Sequence, residues 1–145
     1  MDLNILIALK HFVTVTKLHP ILVNFTAALV PVSVASDLLA GYFKNQSLRD
    51  TAWWTLVYAA IITPFTALSG WLFWMKDDNG AVGMTVHKWL GTVLVIFLAG
   101  LCLWRWQFHR QQGEVSAAYF VLAVVVVALL VVQGYLGGAK AFSGT

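Results

Sequence analysis

Leu18-His-Pro-Ile-Leu-Val-Asn-Phe-Thr-Ala-Ala-Leu29 decides how the rest of the chain is read. It opens an apolar run with proline at an early helical position, where the missing N–H costs nothing because that donor would be unpaired in any helix. The run continues to about Tyr42, enough for the roughly 20 residues that cross the hydrocarbon of a bilayer. An ionisable side chain at the mouth of such a span needs a partner, a ligand or water. His19 is therefore a candidate functional residue by default.

The rest of the sequence is of the same kind. Its 145 residues are 60% hydrophobic and 10% charged, with a mean hydropathy of +0.80, which is a membrane composition. Four spans are expected, over about residues 18–42, 53–75, 84–106 and 115–136. They consume nearly the whole chain, so a single transmembrane domain over residues 1–145 is expected, with no separate soluble module. Cys102 is the only cysteine, which excludes an intrachain disulfide and a thiolate cluster. The net charge of +3 is spread over all the connections. A nucleic-acid binder would gather it into a basic tract, so that class is set aside. Met1-Asp-Leu-Asn4 lacks the basic start and cleavage site of a signal peptide, so the amino terminus is expected to be retained.

Leu3, Ile5, Leu6, Leu9, Phe12 and Val13 recur at helical spacing before the first span, with Lys10, His11, Thr14 and Lys17 mostly elsewhere. The run is too short to cross and predicts an amphipathic helix lying in the interface. Lys44 to Asp50 makes the first turn, Trp53-Trp54 opens the second span as an aromatic belt does, and Pro64 should kink that span or open its ladder. Lys76-Asp-Asp-Asn-Gly80 is a second polar turn. The fourth span, wholly apolar from Val121 to Val132, reads as a packing helix without chemistry. Short turns make neighbours antiparallel, which predicts an all-α, up-down-up-down four-helix bundle with both termini on one side, here side A. Lysines and arginines divide too evenly between side A and the opposite side B for the positive-inside rule to orient it.

In that arrangement the first and third spans both run from A to B, and His19 and His87 open them at matching depth. The two helices are diagonal neighbours, and imidazoles facing across a bundle core can hold an iron between them. Gly70 and Gly91 are small enough to let a flat ring approach the backbone. Met84 is a rival ligand, one turn nearer the surface. Lys17 and Lys88 lie where haem propionates would emerge and could pair with one; snorkelling to headgroups is the competing use of both.

Helix phase extends the pattern. Asp37 lies eighteen residues after His19, and Arg105 eighteen after His87, so at 3.6 residues per turn each shares the azimuth of its histidine. If the histidines point inward, Asp37 and Arg105 should meet about 27 Å away, toward side B, as an ion pair closing the core. Asn24, turned about 140° from His19, should bond a neighbouring helix. Thr26, nearly in phase, can line the cavity or bond back to its own helix. Beside the ligand reading stands the plainer one, in which each histidine contacts headgroups or a neighbouring carbonyl. Zinc is weaker, since it wants three or four ligands and only two histidines converge. A proton relay lacks carboxylates in the A half, and a transporter lacks an inverted repeat.

His19-Pro-Ile-Leu-Val-Asn-Phe25, Ala67-Leu-Ser-Gly-Trp-Leu72, His87 and Gly134-Tyr-Leu-Gly-Gly138 together resemble a bacterial family of small four-span predicted membrane proteins of unknown function. Some of its members carry a C-terminal Rieske iron-sulfur domain. The resemblance runs over about the whole chain and implies a redox setting, with the histidines as haem ligands. The chain departs from it at Asn24, where relatives often have a second histidine, and at Thr26, where they have proline. That departure implies one centre on the first span rather than two.

The expectation is a membrane-embedded b-type cytochrome, an electron carrier rather than an enzyme. One haem b would be held by His19 and His87, with Gly70, Gly91, Lys17 and Lys88 around it, passing single electrons between quinone or a membrane redox complex and a partner such as a Rieske-type protein. The alternative is a cofactor-free accessory or assembly subunit of a larger membrane complex. The expected site is the bacterial inner membrane, with the termini periplasmic because a fused Rieske domain would follow the A-side terminus. The oligomeric state stays open, a homo-oligomer included, as do the roles of His11 and His109.

Overall fold

The computed structural model describes residues 2–73 and 82–142, and the side chains of residues 2–73 and 84–138. Among the described residues five helices follow one another: α1 (Leu3–Val15), α2 (Leu18–Phe43), α3 (Gln46–Phe73), α4 (Val82–Arg110) and α5 (Ala117–Phe142). All four of the long helices are long and apolar enough to cross a membrane. The turn expected over Lys76–Gly80, the end of the second span at Met75 and the Lys140 side chain lie outside the described residues.

Each helix has local causes. Asp2 caps α1, its carboxylate accepting the Asn4 N–H at 3.2 Å. Lys17 and Lys44 take left-handed backbone conformations, φ 51° and 52°, and mark where the chain turns into and out of α2. Asn45 caps α3, its side-chain oxygen accepting from Ser47 N at 2.8 Å and Leu48 N at 3.4 Å. That cap draws the polar run into the helix, so α3 starts at Gln46 and not at Trp53. As a result Trp53 is buried, stacked on His109 with ring centres 4.8 Å apart, and only Trp54 of the pair faces outward. Pro31 and Pro64 both lie inside continuous helices. Next to Pro64 the hydroxyls of Thr63 and Thr66 bond back to the Ala59 and Ile62 carbonyls at 2.6 and 3.1 Å.

α2 packs on α3, α3 on α4, α4 on α5, and α5 returns to α2. Contacts give the directions. His19, Thr26 and Ser33 of α2 meet Thr66, Thr63 and Ala52 of α3, so these two helices run oppositely. His87 and Trp104 of α4 meet Gln133 and Tyr119 of α5 in the same opposed order. The diagonal pair α2 and α4 run the same way and touch only through long side chains. Between them lies an apolar core of Val30, Leu56, Leu94, Leu98, Leu101 and Val126.

The outer surface is as apolar as the core. Phe25, Ile61, Phe65, Ile96, Leu103 and Val131 are all more than half exposed, the distribution of a bundle solvated by lipid chains. α1 leans on α3 and α2, buries Val13, and leaves Leu3, Ile5, Ile7 and Phe12 outward. A helix lying in an apolar interface keeps such a surface.

Candidate functional site

At the end where α2 and α4 begin, the two sequence-predicted histidines meet. Their ring centres are 6.3 Å apart and their planes nearly perpendicular, at 89°. Each is fixed by a different neighbour. His19 Nδ1 donates to the Thr66 carbonyl of α3 at 3.0 Å, with the Ser69 hydroxyl, itself donating to the same carbonyl, 3.1 Å away. His87 Nδ1 donates to the Gln133 carbonyl of α5 at 3.1 Å. A carbonyl only accepts, so in each neutral ring Nδ1 carries the proton and Nε2 presents a lone pair.

Two glycines make this approach sterically feasible. A Cβ on Gly70 would stand 2.8 Å from Cε1 of His19, and one on Gly137 would stand 2.8 Å from Cε1 of His87. Both are well inside the roughly 3.5–4 Å at which carbons pack. Gly70 thus does admit a flat ring, but the ring is the imidazole of His19. Gly91 admits the Gln133 amide, whose Nε2 lies 2.9 Å from where its Cβ would be. That amide donates to the His87 carbonyl at 2.9 Å and stands 3.5 Å from His87 Nε2. Its Oε1 is buried without a hydrogen-bond partner. The cavity bordered by His19, Ala67, His87, Gly91 and Gln133 amounts to about 20 Å³, room for one water.

Other expectations fall unevenly. Lys88 borders the cavity with Nζ 5.4 Å above the Trp71 ring, a cation–π contact, while Lys17 is exposed beyond the start of α2. Met84 is buried in the core. Thr26 faces inward, 3.4 Å from both Thr63 and Thr66 hydroxyls. Asn24 is exposed and bonds no neighbouring helix among the described residues, because the same 140° that turns it from His19 also turns it past α3. His11 is exposed on α1. The fourth span is more than packing: Gln133 and Gly137 of α5 hold His87. Gln133 is the first polar residue after the apolar run, and that position was the available signal.

The opposite end holds Asp37 and Arg105 as their phase predicts. Arg105 Nη2 and Nε donate to the two carboxylate oxygens at 2.8 and 3.1 Å, and Nη2 also to the Arg49 carbonyl at 3.2 Å. The side chains are 1% and 3% exposed, a fully enclosed bidentate pair. Outside it, Glu114 takes Lys44 at 2.7 Å and Arg49 at 3.2 Å, while Arg49 Nη1 donates to the Gln112 carbonyl. The hydrogen bond from Lys44, then its charge and that of Arg49, hold the Glu114 carboxyl below the usual glutamate range.

Compared with known proteins, the chain matches no curated protein and no solved structure. Residues 16–145 match the model of one family, and the chain therefore belongs to the family described as predicted membrane protein (DUF2231).

Proposed function

We propose that this chain is a membrane-embedded redox protein whose working centre is a metal held between His19 and His87. It passes single electrons between a quinone or a membrane redox complex and a protein partner. One observation supports this best: two imidazoles from diagonal helices lie with ring centres 6.3 Å apart, each with Nδ1 tied to a backbone carbonyl. Two imidazoles on opposite sides of one ion, each nitrogen about 2 Å from it, hold their ring centres about 6 Å apart. Histidines that ligate metals donate their other N–H to a carbonyl or carboxylate in this way, which fixes tautomer and direction.

Haem b is the form of the centre expected from the sequence, and its fit divides. The donor pair suits an iron with two axial imidazoles. The space does not suit a macrocycle, since the cavity volume is about 20 Å³ and the room beside Gly70 and Gly137 is filled by the imidazoles themselves. Haem b would require the helices to part at these small residues. The small size of the cavity also favours the second reading, a cofactor-free accessory subunit in which the histidines are packed and hydrogen-bonded ends of the core.

Purification in detergent after growth with ample haem and trace metals tests the proposal. Stoichiometric metal is expected by elemental analysis, lost in His87→Ala at retained helix content by far-ultraviolet circular dichroism. A reducible pigment with a Soret band identifies haem as the form. Colourless, metal-free protein rejects the metal centre and leaves the accessory subunit.

A further inference from the structure

We propose that a cleft on the last turn of α4, at side B, holds the headgroup phosphate of one anionic phospholipid, with Arg110 as its cation. The acyl chains run down the same face of α4, along Leu103 and Ile96. The site lies at the opposite end of the bundle from the histidine pair and does not depend on it.

The cleft is bordered by Trp106, Gln107, Arg110 and Gln111 and has a volume of about 320 Å³. All four side chains carry N–H donors, and none of them is a carboxylate. Gln112, with φ 49°, turns the chain out of the helix. Its N–H bonds the His109 carbonyl at 3.1 Å and that of Gly113 the Phe108 carbonyl at 3.0 Å, which caps the end of α4. The connection then leaves toward Arg49, whose Nη1 donates to the Gln112 carbonyl.

The charges of this end single out Arg110. Both connections here, residues 44–46 and 111–116, are fully described. The carboxylates are engaged elsewhere: Asp37 with Arg105, Glu114 with Lys44 and Arg49, and Asp50 with the Gln46 amide at 3.1 Å. Arg110 is exposed and has no partner among the described residues. A guanidinium in that state is a fork for a phosphate.

Depth points to a lipid as the source of that phosphate. His19 meets His87 and Asp37 meets Arg105, so each residue of α2 lies level with the residue of α4 that is 68 later in the chain. The counterparts of Trp106, Gln107, Arg110 and Gln111 are Leu38, Leu39, Tyr42 and Phe43, all exposed. A helix end at this level is thus suited by apolar and aromatic side chains alone. Two amides and a guanidinium in their place are costly unless a polar group meets them. Below the cleft the same face of α4 is an apolar track. Ile96 and Leu103 are each 71% exposed, and Gly100 between them has no described atom within 4 Å of an added Cβ, so a chain can lie against the backbone. A free phosphate would leave that track unused. A choline headgroup would set a second cation beside Arg110.

The test uses the full-length protein, stripped of lipid in detergent and offered an equal mixture of phosphatidylglycerol and phosphatidylcholine, with bound lipid counted by native mass spectrometry. One phosphatidylglycerol per chain is expected, preferred at least about fivefold, the worth of one basic side chain at an anionic surface. Arg110→Gln should erase the preference at unchanged helix content. Gly100→Leu, which fills the track away from the charge, should weaken retention of phosphatidylglycerol. Washing at rising ionic strength should release it from the wild type. Equal retention of both lipids by folded wild type overturns the site, and so does an Arg110→Gln preference equal to wild type. Retention indifferent to ionic strength overturns the ion pair without any variant. Unchanged retention in Gly100→Leu overturns the acyl track, and inorganic phosphate that displaces the phospholipid at equal concentration overturns lipid as the occupant.

Discussion

Replacing Arg105 by methionine should be among the most damaging single changes in this protein. The Asp37–Arg105 pair has an N–O distance of 2.8 Å, at which an effective dielectric of about 20 gives an attraction of about 6 kcal/mol. Against that stands a desolvation cost of several kcal/mol for each ion, so the intact pair contributes little net stability relative to two apolar side chains. The single substitution removes the attraction and leaves the Asp37 carboxylate buried and unpaired. It also strips the Arg49 carbonyl of its side-chain donor. A loss of about 3–5 kcal/mol is expected, roughly two to four orders of magnitude in the folded-to-unfolded ratio. Adding Asp37→Leu to Arg105→Met should restore most of it, because no charge then remains buried. The assay is equilibrium unfolding in mixed micelles for wild type, both single variants and the double variant. A cost for Arg105→Met under about 1 kcal/mol, the range of exposed pairs, would refute the argument, and so would a double variant no more stable than the singles.

Two further outcomes follow from the geometry. Gly137→Ala drives a methyl into the His87 ring and should cost about 1–3 kcal/mol by overpacking while shifting the His87 Nδ1–H resonance; Gly100→Ala, with nothing within 4 Å of its added carbon, should be neutral or stabilising by up to about 1 kcal/mol. Glu114 titrates below the usual glutamate value in the folded protein, so its ion network is fully formed at neutral pH and is lost as pH falls through that depressed value. The protection factor for hydrogen exchange at Gly113, whose N–H bonds the Phe108 carbonyl, should therefore fall on acidification in wild type. In Glu114→Gln the acid-dependent part should be missing.

Much of this was legible because helix phase is a strong ruler. Two pairs of residues eighteen apart sit on one azimuth each, so a guess about His19 and His87 carried Asp37 and Arg105 with it, and both pairs meet. Gln133 and Gly137 escaped for the opposite reason. A twelve-residue run of small and branched apolar side chains, Val121 to Val132, has no polar mark to give its phase, so nothing told which way α5 turns its next residue. Gly70 and Gly91 are legible as close-approach positions, but a glycine reports only that something comes near and not what. Trp53-Trp54 misled because the belt rule describes where aromatics end up on average. Here Asn45 starts the helix earlier and turns Trp53 inward onto His109.

The enclosed ion pair also constrains the order in which the protein can be made. Asp37 and Arg105 are 68 residues apart in the chain, so during synthesis α2 reaches the membrane with its carboxylate long before α4 exists. An acidic residue at the centre of an isolated inserting helix is disfavoured by about 2.5–3.5 kcal/mol. Asp37 stands near the end of α2, seven residues from Lys44, where water can still reach it until Arg105 arrives. α2 can thus be inserted provisionally and sealed only by α4, whose arrival is the committing event of assembly.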